Sequence, residues 1–238
     1  MKKIVGIIFA SILVILLTAC STSKKAEYEI KDGDPLEILE DAGYSLTYND
    51  SYNPSAVLEN VEEKVSIEFR ISNGSGEIWE INYINKKDKI EELVSEWGLP
   101  TDKRKSIARY VDSVNSTGIT TQTLWTLICD YSAENNPDAL INKSRNNRAL
   151  KTNTVGQLLN EAGYTFYTRY ESYKDGAYKL DINTSNLETG IGYQVNMYKG
   201  KFHGLKYTNL SKKIINEEIY YSGKHTGEEK LLIYISNH

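Results

Sequence analysis

The stretch Val-Ser-Ile-Glu-Phe-Arg-Ile, residues 65–71, alternates apolar and polar side chains without interruption. A period of two predicts a β-strand with one buried face. The glycine-rich turn signal Asn73-Gly74-Ser75-Gly76 follows it. Beyond that turn, Trp79, Ile81 and Tyr83 alternate with polar residues in the same way. The sequence therefore predicts an antiparallel hairpin.

A short helix and a strand are predicted upstream of this hairpin. Asp34 is a favourable N-cap, Pro35 suits the first helical position, and Glu37 can complete a capping box. Gly43 provides the left-handed residue that ends such a helix. Residues 44–48 then alternate as a strand does.

The same pattern recurs further along the chain. Gly43 and Gly163 lie 120 positions apart, and each stands between an alanine and a tyrosine. Residues 191–197 alternate like residues 65–71, 126 positions later, and Lys199-Gly200 supplies a second hairpin turn. This similarity indicates an internal duplication. The alternative is chance similarity between two segments of common composition.

Helices are predicted after both hairpins. Apolar residues in the range 90–97 have helical spacing, and Gly98-Leu99-Pro100 ends that segment. Ile214 and Ile215 begin a shorter helix after the second hairpin. Two further segments with helical periodicity cover residues 107–114 and 124–131. We therefore predict an α+β fold with two tandem repeats of helix, strand, antiparallel hairpin and helix, separated by a helical insertion.

The N-terminus has the features of a secretory signal peptide. Lys2 and Lys3 precede an apolar run over residues 4–17, which is shorter than the roughly 20 residues that span a bilayer. Leu17-Thr18-Ala19-Cys20 closes this run and resembles the lipobox of bacterial lipoproteins. The resemblance implies cleavage before Cys20, a diacylglyceryl group on its thiol, and anchoring at the extracytoplasmic face of the cell membrane. The alternatives are an ordinary cleaved signal peptide and a membrane-spanning anchor.

These patterns divide the chain into five parts. The ranges 142–153 and 20–30 are polar and lysine-bearing, which is typical of linkers and tethers. The predicted parts are a signal peptide, a lipidated tether, a first α+β unit with C-terminal helices, a linker and a second α+β unit, at residues 1–19, 20–30, 31–141, 142–153 and 154–238.

Charge and cysteine content restrict the partners. The net charge is −4, and it becomes −6 without Lys2 and Lys3, so we expect no nucleic-acid partner and membrane contact only through the lipid on Cys20. Cys129 is the other cysteine, so a lipidated Cys20 leaves no pair for an intramolecular disulfide. The abundance of Lys, Asn, Ile and Tyr resembles proteins of AT-rich Gram-positive bacteria.

No catalytic motif is present in the sequence. Cys129 lies between apolar residues and is predicted to be a buried, unreactive thiol. His203, His225 and His238 are not at metal-ligand spacing from one another. We therefore predict that the protein is not an enzyme and uses no cofactor or metal ion.

Tyrosine is the main candidate for recognition. The chain has 18 tyrosines and 4 phenylalanines. Tyr167 and Tyr173 are out of phase with the apolar Phe166, so we expect both to be exposed contact residues.

These features predict a lipid-anchored extracytoplasmic lipoprotein that acts as a binding or interaction module at the cell envelope. Its partner would be an envelope protein, a peptide or a glycan. The alternatives are an envelope hydrolase, in which two carboxylates flank a glycosidic bond, and an inhibitor or exclusion-type lipoprotein. Candidate carboxylates for the hydrolase are Glu37, Glu40, Glu68 and Glu80.

Overall fold

A computed structural model describes most of the chain beyond the predicted signal peptide. The described residues are 28–49, 52–73, 75–135, 159, 161–172, 178–199 and 201–221. The predicted signal peptide, Cys20, most of the tether and the predicted linker lie outside them. The helices of the described part are α1 (Pro35–Asp41), α2 (Arg104–Asn115) and α3 (Thr121–Asn135). None of these helices is long and apolar enough to cross a membrane.

The strands form two antiparallel meanders, in which each strand pairs with its neighbours in sequence. Sheet A has the order β1-β2-β3-β4-β5-β6, with β1 (Ser45–Asn49), β2 (Ser55–Asn60), β3 (Val65–Ile71), β4 (Ile78–Asn85), β5 (Ile90–Glu96) and β6 (Leu99–Pro100). Sheet B has the order β11-β10-β9-β8-β7, with β7 (Thr165–Ser172), β8 (Tyr178–Asn186), β9 (Ile191–Tyr198), β10 (Lys201–Asn209) and β11 (Ile214–Tyr221).

The predicted α+β fold of repeated helix-strand units is therefore wrong. The described chain is mostly β, and strands β5 and β11 occupy the segments that were predicted to be closing helices. Strands β2 and β8 lie between the predicted first strand and the predicted hairpin of each unit. Helices α2 and α3 do form where helical periods predicted them.

A β-bulge explains why β5 resembled a helix in sequence. Ser95 pairs with Ile81 while Leu93 pairs with Asn82, so Val94 is an extra residue in β5. An extra residue interrupts the period of two and leaves apolar residues three or four positions apart. Strand β11 has two register shifts against β10, between Leu205 and Lys206 and between Tyr207 and Asn209.

The two sheets share the geometry of their first turns. Gly43 and Gly163 have φ angles of 82° and 81°, which favour glycine. The side-chain amide of Asn60 donates to the carbonyl before Gly43 at 3.3 Å, and Asn186 donates to the carbonyl before Gly163 at 3.1 Å. The same side-chain hydrogen bond therefore stabilises the turn that precedes the first strand of each sheet.

The main hydrophobic core lies between one face of sheet A and the helices. The strands contribute Ala56, Leu58, Ile67, Phe69, Ile81 and Tyr83, and the helices contribute Leu39, Ile107, Tyr110, Val111, Val114, Leu124 and Ile128. Leu187 and Leu210, from turns at one end of sheet B, belong to the same core. The burial of these two leucines fixes sheet B beside sheet A.

Candidate binding cleft

The connection between β5 and β6 is a strained two-residue turn. Trp97 and Gly98 both have positive φ, at 52° and 74°. This mirror-image turn matches the twist of a hairpin, and glycine adopts it freely. Tryptophan in this conformation costs about 1–2 kcal/mol, because its Cβ approaches the backbone. The tip of this hairpin therefore requires contacts that hold Trp97 in place.

Aromatic rings on both sheets supply those contacts. The Trp97 ring lies 5.0 Å from the ring of Trp79 in sheet A and 5.7 Å from that of Tyr167 in sheet B, measured between centroids. The Arg70 guanidinium lies 6.0 Å from the Trp79 ring centroid. Trp97 nevertheless remains 46% exposed. Part of an anchored aromatic ring thus faces solvent.

The hairpin tip lies directly on the face of sheet B. A Cβ atom at Gly98 would be 2.6 Å from the Cβ atom of Tyr167, so glycine is required for this approach. The side-chain amide of Asn183 donates to the carbonyl oxygen of Trp97 at 2.7 Å. Gly192 likewise leaves room for Pro100, whose Cδ atom would be 3.0 Å from an added Cβ.

A buried carboxylate joins the sheets at the edge strand β7. Glu77 is 9% exposed and precedes β4. It accepts a hydrogen bond from the Thr168 backbone N–H at 3.0 Å and another from the Thr168 hydroxyl at 2.9 Å. Charge-assisted bonds of this kind are roughly twice as strong as neutral ones, so the start of β4 and strand β7 keep a defined spacing.

These contacts leave a cleft of about 660 Å³ between the β5–β6 hairpin and sheet B. Its floor includes Tyr167, Asn183 and Gln194, which are paired across β7, β8 and β9. Ile215 lies at the cleft and is 51% exposed. The other lining residues are Leu93, Glu96, Trp97, Leu99, Pro100, Thr101, Asp102, Lys103, Arg169, Asp181 and Asn216. The volume is within the range of about 300–1,000 Å³ that is usual for ligand sites.

Asn183 carries an unsatisfied acceptor within this cleft. The residue is 6% exposed, and its Oδ1 atom has no hydrogen-bond partner among the residues that the structure describes. The bond to the Trp97 carbonyl identifies the other amide atom as the nitrogen. A buried acceptor without a partner costs about 1–3 kcal/mol. The hydrogen bond from the same amide to Trp97 offsets part of that cost.

The charges that line the cleft nearly balance. The carboxylates are Glu96, Asp102 and Asp181, and the basic groups are Lys103 and Arg169. Asp181 is held by an ion pair with Lys179 at 2.7 Å and by a hydrogen bond from the Asn196 amide at 2.6 Å. The site therefore has polar groups in fixed positions without a strong net charge.

The residues predicted from sequence have different outcomes. Tyr167 is 7% exposed, so the expectation that it is exposed is wrong, although it does line the cleft. Burial is the main cause that raises the pKa of Tyr167, and the negative charge of Glu77 raises it further. A binding role for Tyr167 stays a prediction. Tyr173 and the lipidation site Cys20 lie outside the described residues.

The histidines and cysteines add no second site in the described part of the chain. His203 is exposed in β10, and its ring is 6.3 Å from that of Tyr198. His225 and His238 lie outside the described residues. The described residues contain no group of three His, Cys, Asp or Glu side chains that could hold a metal ion. Cys129 is buried, as the sequence predicted.

Trp97 and Asn183 line the cleft but were not predicted as site residues from the sequence. Trp97 was assigned to a helix, although Trp97-Gly98 lies between two apolar segments and glycine in such a pair is a hairpin signal. Asn183 has no comparable local signal, because its burial depends on a hairpin from the other sheet. The carboxylates of Glu68 and Glu80, which were candidates for a hydrolase, lie 3.9 and 3.2 Å from the Arg70 side chain.

Comparison of the chain with protein-family models, with curated proteins and with solved structures finds no match. Its function is therefore inferred from the cleft and from the sequence.

Proposed function

We propose that the chain is a lipid-anchored binding protein of the extracytoplasmic cell envelope and that the cleft is its ligand site. The lipobox resemblance at Leu17-Thr18-Ala19-Cys20 supports the anchor. The two acyl chains of a diacylglyceryl group give stable membrane attachment, which the acidic mature chain does not otherwise provide. The polar segment at 20–30 gives the binding domain reach above the bilayer.

The half-exposed ring of Trp97 carries the proposal for the cleft. It lies in a concave site of a volume that is usual for ligand sites, among polar side chains in fixed positions. Ring contacts with Trp79 and Tyr167 and the hydrogen bond from Asn183 hold this residue in place. Aromatic side chains that are fixed and partly exposed in this way are common anchors of binding sites.

The anchor is tested by the variant Cys20→Ala in the native host. Labelling with a fatty-acid analogue should mark the wild-type protein and leave the variant unlabelled, because the thiol is the attachment atom. A labelled Cys20→Ala variant would contradict the proposed anchor.

The cleft is tested by capture from detergent-solubilised native envelope with the full chain as bait. Trp97→Ala should reduce capture of the bound component roughly fivefold or more, as loss of a central aromatic anchor does. Tyr52→Ala is the matched control, because Tyr52 is 87% exposed and does not line the cleft. Equal capture by wild type and Trp97→Ala would refute the assignment of the cleft.

A further inference from the structure

The cleft combines an apolar surface with planar polar groups. Trp97 and Ile215 each expose about half of their surface. The amide side chains of Asn183, Gln194 and Asn216 also line the cleft. Amides offer a donor and an acceptor side by side, and tryptophan offers a flat ring with a negative face. The ligand should therefore present C–H groups on one face and hydroxyl or amide groups around its edge.

An extended peptide fits this site poorly. Peptides commonly bind by adding a strand to a free sheet edge, where they use its unpaired N–H and C=O groups. Strand β6 has two residues and ends at Pro100, which has no N–H to donate. On β7, Glu77 already accepts the hydrogen bond of the Thr168 N–H. Strand β11 is the other edge beside the cleft among the described strands, and its register against β10 shifts at two places, so none of the three edges offers a regular free ladder.

A polyanion also fits poorly. Of the charged side chains that line the cleft, three are acidic and two are basic. Recognition of phosphate or polycarboxylate chains uses clustered Arg and Lys donors, whereas a ligand here would also meet three carboxylates. The balance of charge favours a neutral ligand.

Resting on the proposed function of the cleft, we infer that its ligand is a neutral glycan of the envelope. One face of a pyranose ring carries C–H groups, which pack on Trp97, and its rim carries hydroxyl groups. The carboxylate of Asp181 and the amide of Gln194 line the same cleft and are suited to bind adjacent hydroxyls.

The test titrates the full chain in detergent micelles with two neutral probes, the N-acetylglucosamine trimer and cellotriose, by isothermal titration calorimetry. At least one probe should bind and should compete with envelope capture. Trp97→Ala and Gln194→Ala should each weaken binding roughly fivefold or more. Gln194→Ala is included because the Asn183 amide also holds the hairpin, whereas Gln194 is a half-buried floor residue. Tyr52→Ala should bind like the wild type.

The failures of the two proposals are distinguishable. If neither trisaccharide binds while envelope capture still depends on Trp97, the glycan inference is overturned and the cleft remains the binding site. If an acidic peptide such as polyglutamate binds in a Trp97-dependent manner instead, the glycan inference is likewise overturned. If neither saccharide binding nor envelope capture depends on Trp97, both proposals fail.

Discussion

Sheets A and B carry equivalent rows of residues on one face, and only the sheet B row lines the candidate cleft. In sheet A, neighbouring strands pair in the row Thr47, Val57, Glu68 and Asn82; in sheet B, the corresponding row is Tyr167, Asn183, Gln194 and Lys206. The sheet A row is exposed or half-buried throughout. In sheet B, Tyr167 and Asn183 are buried, at 7% and 6% exposure.

The β5–β6 hairpin causes this difference. It extends from sheet A and places Trp97 and Gly98 on the sheet B row, with Pro100 beside that row against Gly192. Equivalent faces of two similar meanders thus acquire different chemistry because a two-residue turn covers one of them. The candidate site therefore arises from packing between the sheets.

The largest loss of stability is expected from substitutions on the apolar face of each sheet, opposite the rows described above. This face should contribute similarly to the stability of both sheets. Ile67 and Tyr193 are 126 positions apart and are 0% and 1% exposed. Tyr193→Ala should cost about 3–5 kcal/mol and Ile67→Ala about 2–5 kcal/mol, because each leaves a cavity. Urea denaturation measures both, with Thr47→Ala as a surface control. A loss below about 1 kcal/mol at Tyr193 would show that sheet B does not depend on this face.

The next prediction compares two glycines. Gly98→Ala combines a φ of 74° with a 2.6 Å contact to the Tyr167 Cβ atom, and should cost about 2–4 kcal/mol from backbone strain and overpacking together. Gly43→Ala has a similar φ but its nearest contact is 3.2 Å, to the Asn60 side chain, so it should cost about 1–2 kcal/mol.

Thermal or urea unfolding measures the two losses, and the capture assay separates their effects. Only Gly98→Ala should also weaken ligand capture, because it displaces the hairpin from sheet B. Undiminished capture by Gly98→Ala would show that the position of the hairpin does not shape the site.

Much of the secondary structure could be predicted from sequence. Asp34 caps α1 as predicted, accepting from the backbone N–H of Leu36 at 2.8 Å and of Glu37 at 3.3 Å. The strand at 65–71 and its antiparallel pairing with the next strand are also found. These elements depend on local chemistry and an uninterrupted period, which a single sequence displays directly.

The fold class and the cleft could not be predicted in the same way. The bulge at Val94 changes the period of β5, so a strand acquired the spacing of a helix. Tyr167 was expected to be exposed because it is out of phase with Phe166, but the hairpin from sheet A covers it. The orphaned acceptor of Asn183 depends on the same long-range contact. The covering of Tyr167 and the burial of the Asn183 acceptor leave no signal near these residues in the sequence.

A smaller effect should follow when the link at the edge of β7 is removed. Thr168→Val keeps the side-chain shape but removes the hydroxyl that donates to the buried Glu77 carboxylate. The expected loss of stability is about 1.5–3 kcal/mol, which is typical of a hydrogen bond to a charged group. Thr47→Val, on the exposed row of sheet A, is the matched control and should change stability by less than about 0.5 kcal/mol. Equal effects of the two substitutions in urea denaturation would argue against a structural role for Glu77.

The smallest effect on stability is expected at alkaline pH. It concerns Tyr44 and Tyr164, which directly precede the first strands of sheets A and B. Burial raises the pKa of Tyr44 to about 12, with smaller contributions from Tyr83 and Glu63. Its ordinary value in an unfolded chain is about 10. Because of the raised pKa, Tyr44 stays protonated to a higher pH in the folded state than in the unfolded chain. This contribution to stability is therefore complete below pH 10 and is lost as the pH rises from about 10 to about 12.

Tyr44→Phe should shift the alkaline unfolding midpoint upward, because phenylalanine cannot ionise. Burial also raises the pKa of Tyr164 in sheet B, but a hydrogen bond with Tyr193 acts in the opposite direction. Tyr164→Phe should therefore shift the midpoint less. Circular dichroism followed against pH measures both shifts, and a larger shift for Tyr164→Phe would reverse the expected order.

The proposed difference between the sheet A row and the sheet B row, that only the latter binds ligand, is tested most directly by hydrogen–deuterium exchange. The full chain is measured in micelles, with and without the saccharide that binds in calorimetry. Ligand should slow exchange in residues 93–103 and in the cleft-facing segments of β8 and β9. Exchange in β2 and β3, which carry the equivalent row of sheet A, should not change. Protection of β2 and β3 without protection of the β5–β6 hairpin would contradict the assignment of the cleft as the binding site.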